Sequence, residues 1–190
     1  MTDVIRCWES DDPAYNAYHD QEWGRPVRDE RGLFEKLCLE GFQSGLSWLT
    51  ILRKREGFRA AFEGFDPDVV AGFGDRDVER LLADASIVRH RGKIEAAIAN
   101  ARATVALRES TPLHELFWSY APEVHEPPAS QADWQPSTPE SKALAKALQR
   151  AGFRFVGPTT VYAAMQACGV VNDHLSSCWV RDAVEKLRTG

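Results

Sequence analysis

Leu33-Phe34-Glu35-Lys36-Leu37-Cys38-Leu39-Glu40-Gly41-Phe42-Gln43-Ser44-Gly45-Leu46-Ser47-Trp48 begins with the apolar spacing of a helix and sets a carboxylate on its apolar side. Leu33 and Leu37 precede Glu40 by seven and three residues. At about 100° per residue, Leu33 and Glu40 fall nearly in line on the helix surface. Glutamate is rarely buried alone, because its charge is costly to remove from water without a cation. Glu40 therefore needs a partner, supplied either by the protein or by a ligand.

The helical signature continues on both sides of that stretch. A good N-cap followed by proline at the first helical position recurs at Asp12-Pro13, Asp66-Pro67, Thr111-Pro112 and Thr138-Pro139, and Gly157-Pro158 offers a similar start. Apolar periodicity predicts helices over 13–22, 29–44, 47–56, 74–84, 91–108, 112–120, 139–150, 158–167 and 179–188. No run alternates apolar and polar residues long enough to predict a strand. The expectation is an all-α fold in one domain over 1–190, built as one body or as two helical lobes with a pocket between them. Residues 121–137, with Pro122, Pro127, Pro128 and Pro136, read as the one long irregular connection, pinned by Trp134.

Composition sets the outer bounds. The 190 residues are 44% hydrophobic and 27% charged, an ordinary globular balance. A net charge of −5 argues against a protein that coats nucleic acid, yet leaves room for local basic patches. Arg53-Lys54-Arg55 and Arg89-His90-Arg91-Gly92-Lys93 are two such patches, readable as phosphate contacts or as solvated turns. Met1 to Glu9 lacks an apolar leader segment, and Thr159 to Val171 is too short to span a bilayer. A cytoplasmic protein without membrane contact is expected. Reduced cysteines follow from that setting, with Cys38 and Cys168 as buried thiols inside apolar helical stripes.

Three groups of residues carry chemistry, each with a plain alternative. Cys7, His19, His174 and Cys178 could form a tetrahedral Cys2His2 site: on a helix, the spacing of four would put His174 and Cys178 on one face. There is no tight cysteine knuckle, and spacing alone favours four unrelated residues. Trp8, Tyr15, Tyr18, Trp23 and Trp48 read as core aromatics or as a stacking pocket for a flat cationic ring. Phe153 to Met165 reads as a helix, a tight turn at Gly157 and a new helix. The free N–H groups of that second helix favour an anion, unless the joint is merely structural.

Taken together, these segments resemble the 3-methyladenine DNA glycosylase I family, all-helical members of the helix-hairpin-helix glycosylase superfamily. The resemblance rests on Asp12-Pro-Ala-Tyr15-Asn-Ala-Tyr18-His19-Asp20-Gln-Glu22-Trp23-Gly24, Leu33 to Trp48, Ile87-Val-Arg89-His90-Arg91-Gly92-Lys93-Ile94, Gly152 to Gly157, and Met165-Gln-Ala-Cys-Gly-Val-Val-Asn172-Asp173-His174. Trp8 follows Cys7 directly, where the family has one residue between them. The resemblance implies excision of 3-methyladenine from double-stranded alkylated DNA by a monomer. It implies that Glu40 is the pocket carboxylate, that Trp8, Tyr15, Tyr18 and Trp48 line the pocket, and that Leu46 wedges into the duplex. It further implies that Val156, Gly157, Thr159, Arg91 and Lys93 meet DNA, and that Cys7, His19, His174 and Cys178 hold a structural Zn²⁺ joining the two ends of the chain.

Two absences shape the expected chemistry. Many relatives in the superfamily carry an Asp two residues before a His, just after the hairpin, where this chain has Asn172 with Asp173 beside it. Those with lyase activity carry a hairpin lysine, where this chain has Thr159. The expectation is a monofunctional hydrolase. In the protein alone Glu40 is expected to lack a protein cation, held by water or by tyrosine hydroxyls.

Overall fold

The structure is a computed structural model that describes residues 4–190; Met1 to Asp3, the start of the segment read as lacking a leader, lie outside them. The described residues form ten α-helices and two short 3-10 turns, with no strand among them. The helices are α1 (Pro13–Gln21), α2 (Glu30–Gln43), α3 (Trp48–Ala61), α4 (Pro67–Ala71), α5 (Asp75–Ala83), α6 (Arg91–Leu107), α7 (Leu113–Trp118), α8 (Pro139–Arg150), α9 (Pro158–Ala167) and α10 (Arg181–Thr189). No described helix is long and apolar enough to cross a membrane.

Three of the predicted side-chain caps are in place: Asp12 accepts from the amides of Ala14 and Tyr15, Asp66 from those of Asp68 and Val69, and Thr138 closes a capping box with Ser141. At Thr111-Pro112 the cap position falls on Pro112 itself and no side chain caps α7. Asp29 and Ser47, which the sequence reading did not single out, cap α2 and α3 through Gly32 and Thr50. Two elements depart from the sequence-based boundaries by more than two residues at an end. Helix α3 runs on to Ala61 because Phe58 and Ala61 bury against the core, prolonging the periodicity past the charged run. Helix α4 follows the Asp66-Pro67 cap but is too short to show a period.

Helix α2 occupies the centre. Residues 36–42 are all buried, and the helix packs against α9, α6 and α3. An amphipathic surface helix would bury one stripe; α2 is enclosed on most sides. Glu40 is carried into the interior by its helix. Helices α8 and α9 form the hairpin, with a turn that the buried Asn100 amide clamps: Nδ2 donates to Arg154 O (3.1 Å) and Oδ1 accepts from Arg154 N (2.7 Å). Phe155, at the tip, sits at φ +54° with its ring exposed.

The connection from 121 to 137 is not free. It contains a 3-10 turn at Gln131–Asp133, and Trp134 Nε1 donates to Asp173 O at 2.9 Å. His125 Nε2 donates to Asp173 Oδ1 at 2.6 Å.

Candidate base pocket and metal centre

A cavity of about 290 Å³ lies where α1, α2, α3 and α9 meet, lined by Trp8, Tyr15, Tyr18, Trp23, Glu40, Gln43, Trp48, Trp134, Ala163 and Gln166. The rings form a continuous wall. Trp8 and Tyr15 lie 5.1 Å apart, Tyr15 and Tyr18 6.5 Å, and Tyr18 and Trp48 5.2 Å, with interplanar tilts of 30°, 22° and 41°. Trp8, Tyr15, Tyr18 and Trp48, singled out from the sequence, are thus brought together. Trp23, read from the sequence in the same aromatic group, lines the space as well, and so do Gln43, Trp134, Ala163 and Gln166, which were not among the expected site residues.

Glu40 is 5% exposed, and its Oε2 has no hydrogen-bond donor among the described residues, tyrosine hydroxyls included. The expected tyrosine contact is therefore not made. The indole N–H groups of Trp8 and Trp48 are also buried without partners. Native proteins seldom leave buried polar groups unpaired, and three on one cavity point to a polar ligand. Burial pushes the Glu40 carboxyl up to about 8, against the opposing pull of the Lys36 ammonium. Lys36 does not neutralise it, because its ammonium is paired with Glu22, which also takes Arg55 Nη1 at 2.7 Å. The same carboxylate adds to burial in raising the hydroxyl pKa values of Tyr15 and Tyr18.

A second opening of about 230 Å³ shares Glu40, Gln43 and Ala163 with the first and is bordered by Leu46, Thr159 and Thr160. Leu46 is 41% exposed at this mouth. It follows Gly45, whose φ of +80° closes a turn that a side-chained residue would strain. Lys93, expected at a phosphate, does something else. Its ammonium is buried and donates to Phe42 O (2.8 Å) and Ser44 O (2.5 Å), capping the C-terminal end of α2 and bracing the turn that presents Leu46. Desolvation lowers its pKa.

On the adjoining face no side chain caps α9, so its first-turn amides beside Gly157 and Thr159 are available to an anion. The Val156 side chain is buried. Arg91 reaches Glu79 (2.5 Å) and Glu95 (3.6 Å). Arg89 and Arg154 are exposed and, among the described residues, make no ion pair. The other basic run is engaged internally: Arg53 with Asp12, Lys54 with Ala85 O, Arg55 with Glu22.

The four predicted metal ligands do converge. Ligand atoms of Cys7, His19, His174 and Cys178 lie within 4.8 Å of one another, all buried. Cys7 and Cys178 Sγ sit 3.3 and 3.4 Å from His174 Nδ1, and Cys178 Sγ sits 3.5 Å from His19 Nε2. The outer nitrogens are also engaged. His19 Nδ1 meets Asp20 Oδ1 (2.8 Å), and His174 Nε2 meets Trp23 O (2.9 Å). Those contacts fix the tautomers that aim lone pairs at the centre, the arrangement usual behind metal-bound imidazoles. Asp20 also takes Arg6 and Trp179, and these bonds outweigh its burial to hold it at about 2. The donor set and its outer shell fit a tetrahedral divalent ion.

Neither residue of the Asn172-Asp173 pair faces the cavity as a free base. Asn172 Nδ2 donates to Arg181 O and Glu185, tying α10 to the body. Asp173 accepts from His125, Tyr162 (2.8 Å) and Gln166 (2.6 Å), and these bonds, against its burial, hold its pKa below the ordinary carboxylate value.

Residues 8–182 match the methyladenine glycosylase family. DNA-3-methyladenine glycosylase 1 of Escherichia coli is 52% identical over 179 residues, covering 91% of this chain and 95% of the relative. A crystal structure of 3-methyladenine DNA glycosylase I superposes with a TM-score of 0.89 at 51% identity, over 92% of this chain and 98% of the other. A point variant of 3-methyladenine DNA glycosylase I solved in complex with 3-methyladenine superposes with a TM-score of 0.86 at 34% identity, over 90% and 94% of the two chains.

Proposed function

The chain belongs to the methyladenine glycosylase family and acts as a base-excision repair glycosylase that releases 3-methyladenine from DNA, and we propose that it holds the flipped base between Glu40 and the rings of Trp8, Tyr15, Tyr18 and Trp48. The observation that carries this assignment is Glu40 itself: a buried carboxylate without a cation, on an aromatic cavity with a second opening beside it. Methylation at N3 gives the base a positive charge. Aromatic faces attract a desolvated cation by roughly 2 kcal/mol. A cation a few ångströms from Glu40 also favours its ionised form, reversing the effect of burial.

Leu46 enters the duplex beside the extruded nucleotide, whose unstacking costs a few kcal/mol. The free amides at the start of α9, together with Arg89, Arg91 and Arg154, hold the phosphates of double-stranded DNA. The bond between C1′ and N9 then breaks with its electron pair passing to the base, which cancels the ring's charge. Water adds to C1′ and gives up its proton to solvent. Because the charge leaves the base in this step, the rings contribute recognition more than rate. A cationic base is already a good leaving group, and with Asp173 engaged by three donors no dedicated general base is required. Helix α9 carries no lysine, and Thr159 stands where the lyases of the superfamily place the one that forms a Schiff base, so the enzyme is monofunctional. Borohydride trapping should give no covalent DNA adduct.

Cys7, His19, His174 and Cys178 hold one structural Zn²⁺, which ties residue 7 to residue 178. The chain works as a single-domain monomer in the cytoplasm. Incubation with methylated DNA and identification of the freed base is the decisive experiment: 3-methyladenine is expected, and release of a different alkylated purine in its place would overturn the assignment.

A further inference from the structure

Gln166 is a polar group on the cavity wall that the reaction described so far does not use. It lies on α9 and lines the base cavity. Its one side-chain hydrogen bond among the described residues runs from Nε2 to Asp173 Oδ2, at 2.6 Å. A carboxylate only accepts, so this contact fixes which end of the amide is nitrogen. Asp173 is itself held, 4% exposed, by Tyr162 Oη at 2.8 Å and His125 Nε2 at 2.6 Å. Its main-chain oxygen takes Trp134 Nε1, from another cavity residue.

An amide offers a carbonyl acceptor beside an N–H donor. Both polar edges of 3-methyladenine show an amine donor beside a ring-nitrogen acceptor, so the amide complements either edge in one sense. Guanine shows two acceptors on one edge, and on the other an oxygen acceptor beside an N–H donor. A free amide would match that last pattern by turning over. An amide held by Asp173 cannot turn without losing its carboxylate partner.

We infer that Gln166 is a specificity-determining residue that reads the amine edge of the base, and that Asp173 is the positioning residue that locks its amide in the adenine sense. This rests on the reading that the cavity takes 3-methyladenine. A site built around such hydrogen bonds rejects a base with the wrong pattern far more strongly than shape alone can.

The test uses duplex DNA carrying both 3-methyladenine and 3-methylguanine, with release of each base measured by chromatography. In Gln166→Met, which keeps side-chain volume, the ratio of adenine to guanine release should fall about 5- to 150-fold, the usual worth of a bidentate base contact. In Asp173→Asn the ratio should also fall, with the guanine product gaining relative to the adenine product. A role confined to folding would lower both rates together and leave the ratio unchanged. Because Asp173 adjoins His174, metal content and melting temperature accompany that variant, and Tyr162→Phe makes the same test if it does not fold. An unchanged ratio in Gln166→Met overturns the inference. A ratio that falls there but not in Asp173→Asn or Tyr162→Phe overturns the positioning role. Failure of the parent protein to release 3-methyladenine would instead refute the proposed function, a separate and recognisable result.

Discussion

Replacing Glu40 with glutamine should make the protein more stable and less active, by amounts that depend on pH. Burial raises the Glu40 carboxyl from 4.5 to about 8, so the folded protein binds that proton more tightly than the unfolded chain. The unfolding free energy must then fall as pH rises from about 4.5 to about 8, and level off above. At about 1.36 kcal/mol per tenfold difference in proton affinity, the loss reaches about 3 kcal/mol at pH 7 and about 5 kcal/mol beyond pH 8. Glu40→Gln removes this dependence and keeps the volume. Urea unfolding of both proteins from pH 5 to pH 9 should give curves that separate steadily, with the variant more stable at the alkaline end. Excision of 3-methyladenine by the variant should fall roughly 10- to 150-fold, the worth of a charged hydrogen bond. If the two stabilities run parallel across that range, Glu40 is solvated or already partnered. The cavity then holds no carboxylate awaiting a cation.

Four further outcomes follow from the geometry. The purified protein should carry about one zinc per chain, and Cys178→Ser should lose it with a large drop in melting temperature, since structural zinc is worth about 10–16 kcal/mol in small domains; a metal-free preparation with unchanged melting would refute the centre. Leu46→Ala should leave stability within about 0.5 kcal/mol, as an exposed position does, while slowing excision from duplex DNA; an unchanged duplex rate would dismiss the wedge. Asn100→Ala should cost about 1–3 kcal/mol, because it leaves two part-buried main-chain groups of Arg154 without their partner, and denaturant midpoints measure this directly. Arg154→Ala should reduce the slope of log affinity against log salt by about one, whereas Lys93→Met should leave that slope alone, and a reduced slope in Lys93→Met would restore its phosphate role.

The contrast at Lys93 marks the limit of sequence reading here. Charge clustering placed it with Arg89 and Arg91, and composition gives no sign that its helix turns it inward onto Phe42 and Ser44. Glu40 was legible because a carboxylate breaks an apolar period, a contradiction internal to one helix. The all-helical class was legible for the same local reason, in the caps and periods. The metal set was not legible from spacing, since Cys7 and His174 are 167 residues apart; it emerged only from the family resemblance. Gln166 looks like an ordinary polar residue on a helix. Only the turn that brings Asp173 back against α9 gives it a role, and no local pattern encodes that return.

The Cys7, His19, His174 and Cys178 cluster and the aromatic cavity are not separate devices. Trp8 stands edge-on to His19 and Trp23 edge-on to His174, each at 4.6 Å, and both rings line the cavity. Trp8 is also the chain neighbour of Cys7. The ring wall therefore inherits its position from the ligands behind it. Gly169 permits this closeness on the far side: at φ +72° a Cβ there would stand 2.5 Å from Gly24 O, just after Trp23. A divalent ion held by Cys7, His19, His174 and Cys178, as proposed, would fix Trp8 and Trp23 without competing for Glu40, because its charge would be met by the two thiolates. On the proposed reading Glu40 stays unpartnered until a cationic base arrives, and one buried carboxylate would then distinguish a methylated adenine from the neutral bases around it.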